Sequence, residues 1–339
     1  MSLTRIHCER FTLFDLLSLE LSPGINVFIG KNGTGKTHLM KLAYAACDIT
    51  KSGMNFAEKL NRVFLPSRRS IGRLVKRQKS SSRATVEVRR GDLSLRASFS
   101  NHTKKSESAA VSGHAEWVSR PMESVFIPVK EMLSNGPGFR SMYAQREIHF
   151  EEIYADILDR AYRPALRGPI EAPRKALLEQ LQKAIDGRVI VDKEEFFLKN
   201  KKGNLEFTLL AEGIRKLGLL WVLIQNGTLL NGSALFWDEP EANLNPSLFG
   251  VLMQIILDLQ REGVQVFMAT HDYVILKELD LRRSADDNIA YHSLFQDDDG
   301  TVRCRGAGSF ATIDPNAISQ TFSDLYDREV KRSLGGIPR

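Results

Sequence analysis

Three groups of residues in this chain are equipped for chemistry. The first is Gly30-Lys-Asn-Gly-Thr-Gly-Lys-Thr37, with Gly30, four residues, then Gly35, Lys36 and Thr37. That is the spacing of a phosphate-binding loop: glycines let the backbone N–H groups turn inward, and a following helix adds its positive end. Asn32, Gly33, Thr34, Gly35, Lys36, Thr37 and His38 form the expected set around a nucleoside triphosphate. Lys36 is the cation expected at the β- and γ-phosphates, and the Thr37 hydroxyl is an expected Mg²⁺ ligand.

The second group ends the apolar run Ala234-Leu-Phe-Trp237, which delivers Asp238 and Glu239. At the C-terminal end of a buried parallel strand, Asp238 is placed to hold Mg²⁺ and Glu239 to orient or deprotonate an attacking water. The third follows Val264–Ala269, another apolar run, and is Thr270-His271-Asp272. One strand away from the carboxylate pair, His271 can donate to a γ-phosphate and read its presence. The carboxylates near His271 form no wider metal-binding pattern, and a two-metal nuclease would need one. A weaker candidate, Glu131, follows the short apolar strand Ser124–Val129; it is either a γ-phosphate reporter or an ordinary surface acid.

The elements that must carry these groups are legible in outline. Asn26–Ile29 reads as the strand that feeds the loop, and His38–Cys47 as the helix after it. Ile6 to Leu21 reads as one or two strands, with Leu17–Leu21 pairing to the loop-feeding strand through a turn at Ser22-Pro23-Gly24. Thr85–Val88 and Leu93–Phe99 predict a hairpin, and residues 101–113 a polar exposed stretch. Phe139 to Ile185 turns helical, in two helices separated by Pro164 and by Pro169 to Pro173. Short strands at Arg188–Val191, Phe196–Leu198 and Leu205–Thr208 are expected to lead back to the core. Ala211–Asn226 and Ser247–Gln260 read as helices.

Composition narrows the class. With 339 residues, 42% hydrophobic and 26% charged, the chain has the make-up of an ordinary soluble protein with room for a large core. No apolar run reaches membrane-spanning length and no signal-peptide core opens the sequence, so no membrane role and a cytoplasmic location are expected. Three widely spaced cysteines fit a reducing compartment. The formal net charge of +6 allows a polyanionic partner. Between residues 68 and 83 stand Arg68, Arg69, Arg73, Lys76, Arg77, Lys79 and Arg83, with no acid among them. This is either a solvated surface loop or a contact for DNA, another nucleic acid or an acidic protein.

Taken together, the motifs resemble those of ABC-type ATPases, within the group that includes the RecF, SMC and OLD-like ATPases. Gly30–Thr37 looks like the Walker A loop, Ala234–Glu239 the Walker B strand, Glu241–Pro246 the D-loop, His271 the switch histidine and Leu210-Ala-Glu-Gly-Ile214 the signature sequence. The resemblance implies an α/β P-loop NTPase head with an N-terminal antiparallel β portion and a helical lobe. It divides as 1–135, 136–209 and 210–339. It implies ATP and Mg²⁺ as ligands, with Glu239, His271 and Lys36 catalytic, and Ala211, Glu212 and Gly213 touching the nucleotide of a second subunit. Head-to-tail pairing then gives a homodimer or higher even-numbered oligomer. The family signature has serine where this chain has Ala211, so a hydroxyl contact is missing. Small proteins of this pattern resemble the ATPase subunits of Septu, retron-associated and PARIS-type antiphage systems, which implies a separately encoded nuclease or toxin as effector. A RecF-like repair or chromosome-associated role is the alternative.

Overall fold

The computed structural model describes residues 1–146 and 148–334. Its centre is a six-stranded sheet in the order Val302–Ala307, Ile289–Gln296, Ile25–Gly30, Gln265–Ala269, Ala234–Asp238 and Ser124–Ile127. Five strands are parallel; Val302–Ala307 is an antiparallel edge. Every residue of Ile25–Gly30, Ala234–Asp238 and Gln265–Ala269 is buried, as expected for parallel strands covered on both faces.

Side chains of these strands alternate between two cores. Val27, Ile29, Leu235, Trp237, Val266 and Met268 join the core packed by the helices Glu212–Gln225 and Phe249–Arg261. Phe28, Phe236 and Phe267 point into the other, beneath the phosphate-loop helix Lys36–Ser52 and a second sheet. There Phe236 stacks on Phe267 with centroids 4.6 Å apart. This period-two alternation fixes the register, because a one-residue slip would exchange the two faces. The register aligns Asp238 with Ala269, and Ala269 with Phe28. The turns that follow the three strands therefore open on one edge.

The second sheet is antiparallel, in the order Phe14–Glu20, Arg5–Phe11, Arg83–Arg90, Leu93–Ser100 and Ala110–Ser112. It corrects one expectation: Leu17–Leu21 does not pair with the loop-feeding strand. Its partner is Arg5–Phe11, with Ile6 opposite Leu19 and Cys8 opposite Leu17. The Ser22–Gly24 link crosses between sheets, because Leu17 and Leu19 bury into a core that Arg5–Phe11 already lines. The predicted hairpin is present as Arg83–Arg90 and Leu93–Ser100. The stretch 101–113 is not all loop, since Ala110–Ser112 adds an edge strand.

Beyond Ser124–Ile127 stands the helical region, with three helices rather than two: Phe139–Arg146, Glu152–Ala161 and Ala172–Ala184. The first has few apolar residues to mark its period. The three following strands, Arg188–Asp192, Glu195–Asn200 and Gly203–Glu206, form their own small antiparallel sheet and do not join the central one.

A buried ion cluster fastens this region to the phosphate-loop helix. Lys59, 1% exposed, reaches Asp48 at 2.7 Å, Asp156 at 2.7 Å and Glu152 at 3.3 Å. Arg160 also pairs with Asp48. Burial pushes the Asp48 carboxyl up, but Lys59 and Arg160 outweigh it and hold it below its ordinary value. A cluster of this kind fixes geometry more than it adds stability, since desolvation offsets much of the attraction.

Candidate nucleotide site

The phosphate loop hangs between the strand Ile25–Gly30 and the helix Lys36–Ser52, whose N-cap is Gly35 in the left-handed region at φ 94. A Cβ at Gly35 would stand 2.5 Å from the Phe14 ring, so only glycine lets the loop close against the antiparallel sheet. The Thr34 hydroxyl donates to Lys31 O at 2.9 Å. Lys36 Nζ donates to Gly30 O at 2.8 Å and Lys31 O at 3.2 Å, which lays the ammonium across the inside of the loop. Burial lowers the Lys36 pKa; the Glu239, Asp238 and Glu241 carboxylates oppose that shift. Asn32 and Gly33 are exposed at the loop tip.

The register brings the carboxylates to the loop. Thr37 Oγ1 donates to Asp238 Oδ2 at 2.8 Å. Burial pushes Asp238 up to about 6, with the Thr37 bond opposing and Glu239 adding. Glu239 takes a left-handed backbone at φ 46, and its N–H donates to Ala269 O at 2.9 Å. That turn sends its side chain towards the neighbouring strand end, where Glu239 Oε1 lies 3.3 Å from His271 Nδ1. Among the described residues no group of three or more His, Cys, Asp or Glu side chains is gathered to hold a metal unaided. Thr37 and Asp238 bring together two oxygen donors of the hard kind that Mg²⁺ takes, and a bound phosphate would add more.

His38 directly follows Thr37, its ring 5.5 Å from Phe64, and burial followed by the Lys41 charge lowers its pKa to about 4. It lines a cavity of about 910 Å³ with Leu13, Phe64, Arg73, Lys76 and Arg77. A second cavity, about 870 Å³, meets the other side of the loop at Lys31, Asn32 and Thr34. The first has the apolar wall and cationic rim that a base and ribose-phosphate need. The basic segment is divided between pockets: Arg73, Lys76 and Arg77 line the cavity beside His38. Arg68 and Arg69 instead line another pocket, of about 510 Å³, with Lys104 and Lys105. The segment is not an open loop, because Ile71, Leu74 and Val75 are buried beneath it.

The signature stretch sits elsewhere on the chain. Ala211 is the N-cap of Glu212–Gln225 and has no side-chain cap bond. Glu212 Oε2 accepts from Asn243 Nδ2 at 2.9 Å, and Gly213 packs so closely that a Cβ would stand 2.6 Å from Asn243 O. Glu131 is not a surface acid: its side chain is buried and pairs with Arg215 at 3.0 Å. Two residues carry more than the sequence disclosed. Glu241 accepts from Thr270 Oγ1 at 2.7 Å and from His271 N at 3.2 Å, joining the turns that follow the strands Ala234–Asp238 and Gln265–Ala269. Lys41 pairs with Glu151 at 2.5 Å and bears on Asp238 electrostatically. Glu241 was legible only as the start of the D-loop, and nothing in sequence spacing marks Lys41.

A family profile described as "AAA domain, putative AbiEii toxin, Type IV TA system" matches residues 68–277, more than half of the chain. The chain belongs to this AAA-domain family. The match takes in the signature stretch, Asp238–Glu239 and His271. The AAA-domain chain is also similar to curated proteins named DNA replication and repair protein RecF. The one from Limosilactobacillus reuteri is 29% identical over 177 residues, 49% of this chain and 42% of its own. The one from Streptococcus suis is 25% identical over 148 residues, 44% of this chain and 38% of its own. The chain thus spans about two fifths of the length of these relatives.

Among solved structures, an SMC head bound to the C-terminal winged-helix domain of ScpA superposes with a TM-score of 0.59 at 13% identity, covering 92% of this chain and 99% of that one. An Smc head with an extended coiled coil, bound to the C-terminal domain of ScpA derived from Pyrococcus furiosus, gives 0.55 at 12% identity, covering 97% and 99%. The AAA-domain chain therefore has the P-loop ATPase fold of an SMC head. No helix among its described residues is long and apolar enough to cross a membrane.

Proposed function

We propose that this chain binds Mg²⁺–ATP at Gly30–Thr37 and Asp238 and hydrolyses it. The observation that carries the reading is the row Thr37, Asp238, Glu239 and His271, brought to one sheet edge by strand register. Mg²⁺ would neutralise the phosphate charge between Thr37 and Asp238. Glu239 takes the attacking water's proton or orients that water, Lys36 meets the charge that builds on the leaving phosphates, and His271 contacts the γ-phosphate.

The nucleotide is completed by a second copy, whose Ala211, Glu212 and Gly213 cap the γ-phosphate with helix N-terminal donors. This makes an ATP-dependent head-to-tail homodimer. Its opening and closing control a separately encoded effector, a nuclease or toxin, in antiphage defence; the toxin–antitoxin wording of the family description supports that use. Its three cysteines are unpaired, which fits the cytoplasm. Purified protein should turn over Mg²⁺–ATP and Lys36→Ala should not; a wild-type chain that binds Mg²⁺–ATP without turnover, with or without DNA and partner, defeats the reading.

A second use is supported by the RecF relatives and by one pocket. Arg68, Arg69, Lys104 and Lys105 line it beside Glu58, which pairs with Arg62, and Glu107; none of the four cations makes an ion pair among the described residues. A nucleic-acid backbone is the partner that such a set fits.

A further inference from the structure

Lys216 is a buried lysine with no role in the reaction described above. It lies in the signature helix Glu212–Gln225, is 1% exposed, and its Nζ donates to Ala242 O at 2.8 Å. Burial lowers its pKa, and the carboxylates of Glu212, Glu241, Glu239 and Glu131 around it oppose the shift. It makes no direct ion pair with any of them among the described residues. An ammonium taken out of water is destabilising unless its contacts compensate. Here it meets one backbone carbonyl in a ring of acids.

That carbonyl belongs to the turn that shapes the catalytic carboxylate. Ala242 N donates to Glu239 O at 3.0 Å, and Leu244 N to Glu241 O at 3.0 Å. Within this turn both Glu239 (φ 46) and Asn243 (φ 62) are left-handed without being glycine. Such conformations persist only where the surroundings over-determine them. The signature helix supplies the surroundings at three points: Lys216 on Ala242 O, Glu212 on Asn243 Nδ2, and the bare Gly213 against Asn243 O. Helix start and turn are thereby one body.

We propose that Lys216 is a positioning residue that couples the signature helix to Glu239 of the same chain. The inference rests on the dimer reading above. There, the signature helix touches the nucleotide bound by the second copy, while Glu239 acts on the nucleotide bound by its own. A shift of the helix on meeting a γ-phosphate is passed through Lys216 to the 239–244 turn, so that each nucleotide readies the other for hydrolysis.

The test compares Lys216→Met, which fills the space without a donor, with Lys216→Gln, which keeps one. Hydrogen exchange of the nucleotide-free full chain should show faster exchange at residues 242–244 in the Met variant and near wild-type exchange in the Gln variant. In ATP titrations the Met variant should lose about tenfold in kcat and fall to a Hill coefficient near one. Its affinity for a fluorescent ATP analogue should stay within about twofold of wild type. If the Met variant does not fold, Lys216→Arg and Lys216→Gln, which both keep a donor, should hold wild-type exchange at 242–244 and the wild-type Hill coefficient; a folded variant of either kind that loses both overturns the proposal. Unchanged exchange at 242–244 in a folded Met variant overturns the proposal, as does an unchanged Hill coefficient with unchanged kcat. A wild type that never hydrolyses ATP sinks the function reading instead, and the exchange measurement still decides the role of Lys216.

Discussion

Thr37 and Asp238 share a hydrogen bond of 2.8 Å although 201 positions separate them. The hydroxyl on the first turn of one helix closes on the last residue of a strand two places across the sheet. Asp238→Asn keeps an acceptor for Thr37 and removes the charge. It should reduce turnover by roughly 100-fold, the scale of losing one preorganised electrostatic group. Binding of nucleotide without Mg²⁺ should be spared. Measuring analogue affinity with and without Mg²⁺ checks it: the variant should lose the Mg²⁺ increment.

Ala211 leaves its helix without a side-chain cap. Ala211→Ser should raise the unfolding free energy by about 1 kcal/mol, the usual gain from a serine N-cap. It should also tighten the ATP-dependent dimer formed by Glu239→Gln, through the hydroxyl the family signature carries. Urea melts read the first effect and light scattering with ATP the second. A Glu239→Gln chain that stays monomeric with saturating ATP rules out the dimer.

Glu239 holds φ 46. Glycine takes that backbone freely and alanine does not, so Glu239→Gly should be more stable than Glu239→Ala by about 1 kcal/mol. Both should lose hydrolysis. Stability and activity then part at one residue, which paired thermal melts and turnover assays will show.

His292 is buried, donates through Nε2 to Asn26 Oδ1 at 3.1 Å, and stacks on Phe28. Burial lowers its pKa from 6.5 to about 4. The folded state therefore favours the neutral ring, while the unfolded chain takes up a proton below about 6.5. Stability is fully present above that pH and is lost as pH falls towards 4, by up to about 3 kcal/mol. His292→Gln keeps a donor and removes the titration. Its urea midpoint should fall less than the wild type's between pH 7 and pH 4.5.

Changing Arg68, Arg69, Lys104 and Lys105 together to glutamine should weaken DNA binding and flatten its salt dependence, by about 0.9 in the log–log slope for each phosphate no longer neutralised. Arg73 and Arg77, which line the cavity beside His38, should affect ATP affinity instead. An unchanged salt slope in the quadruple variant removes the nucleic-acid reading.

Local motifs marked the turns that carry the candidate groups. The glycines before Lys36, and the apolar runs before Asp238 and His271, each signal their own turn within ten residues. What spacing could not disclose is partnership across the chain. Leu17–Leu21 alternates as a strand should, yet alternation does not name a neighbour, and Arg5–Phe11 took the pairing. Lys104 and Lys105 reach the same pocket as Arg68 and Arg69 through the folding of the antiparallel sheet, which a charge count along the sequence cannot register. Glu131 looked like a surface acid because nothing nearby in sequence accounts for it. Its partner, Arg215, arrives from the signature helix.

The contact between Gly35 and Phe14 sets a limit on how this molecule can vary. The phosphate cradle is cast against a ring from a different sheet, with no room for one additional carbon. The antiparallel sheet therefore works as a mould for the loop. A displacement of the strand Phe14–Glu20, whether by mutation or by something docking on its exposed face, would reach the phosphates as a change in loop curvature before it altered any residue that touches them.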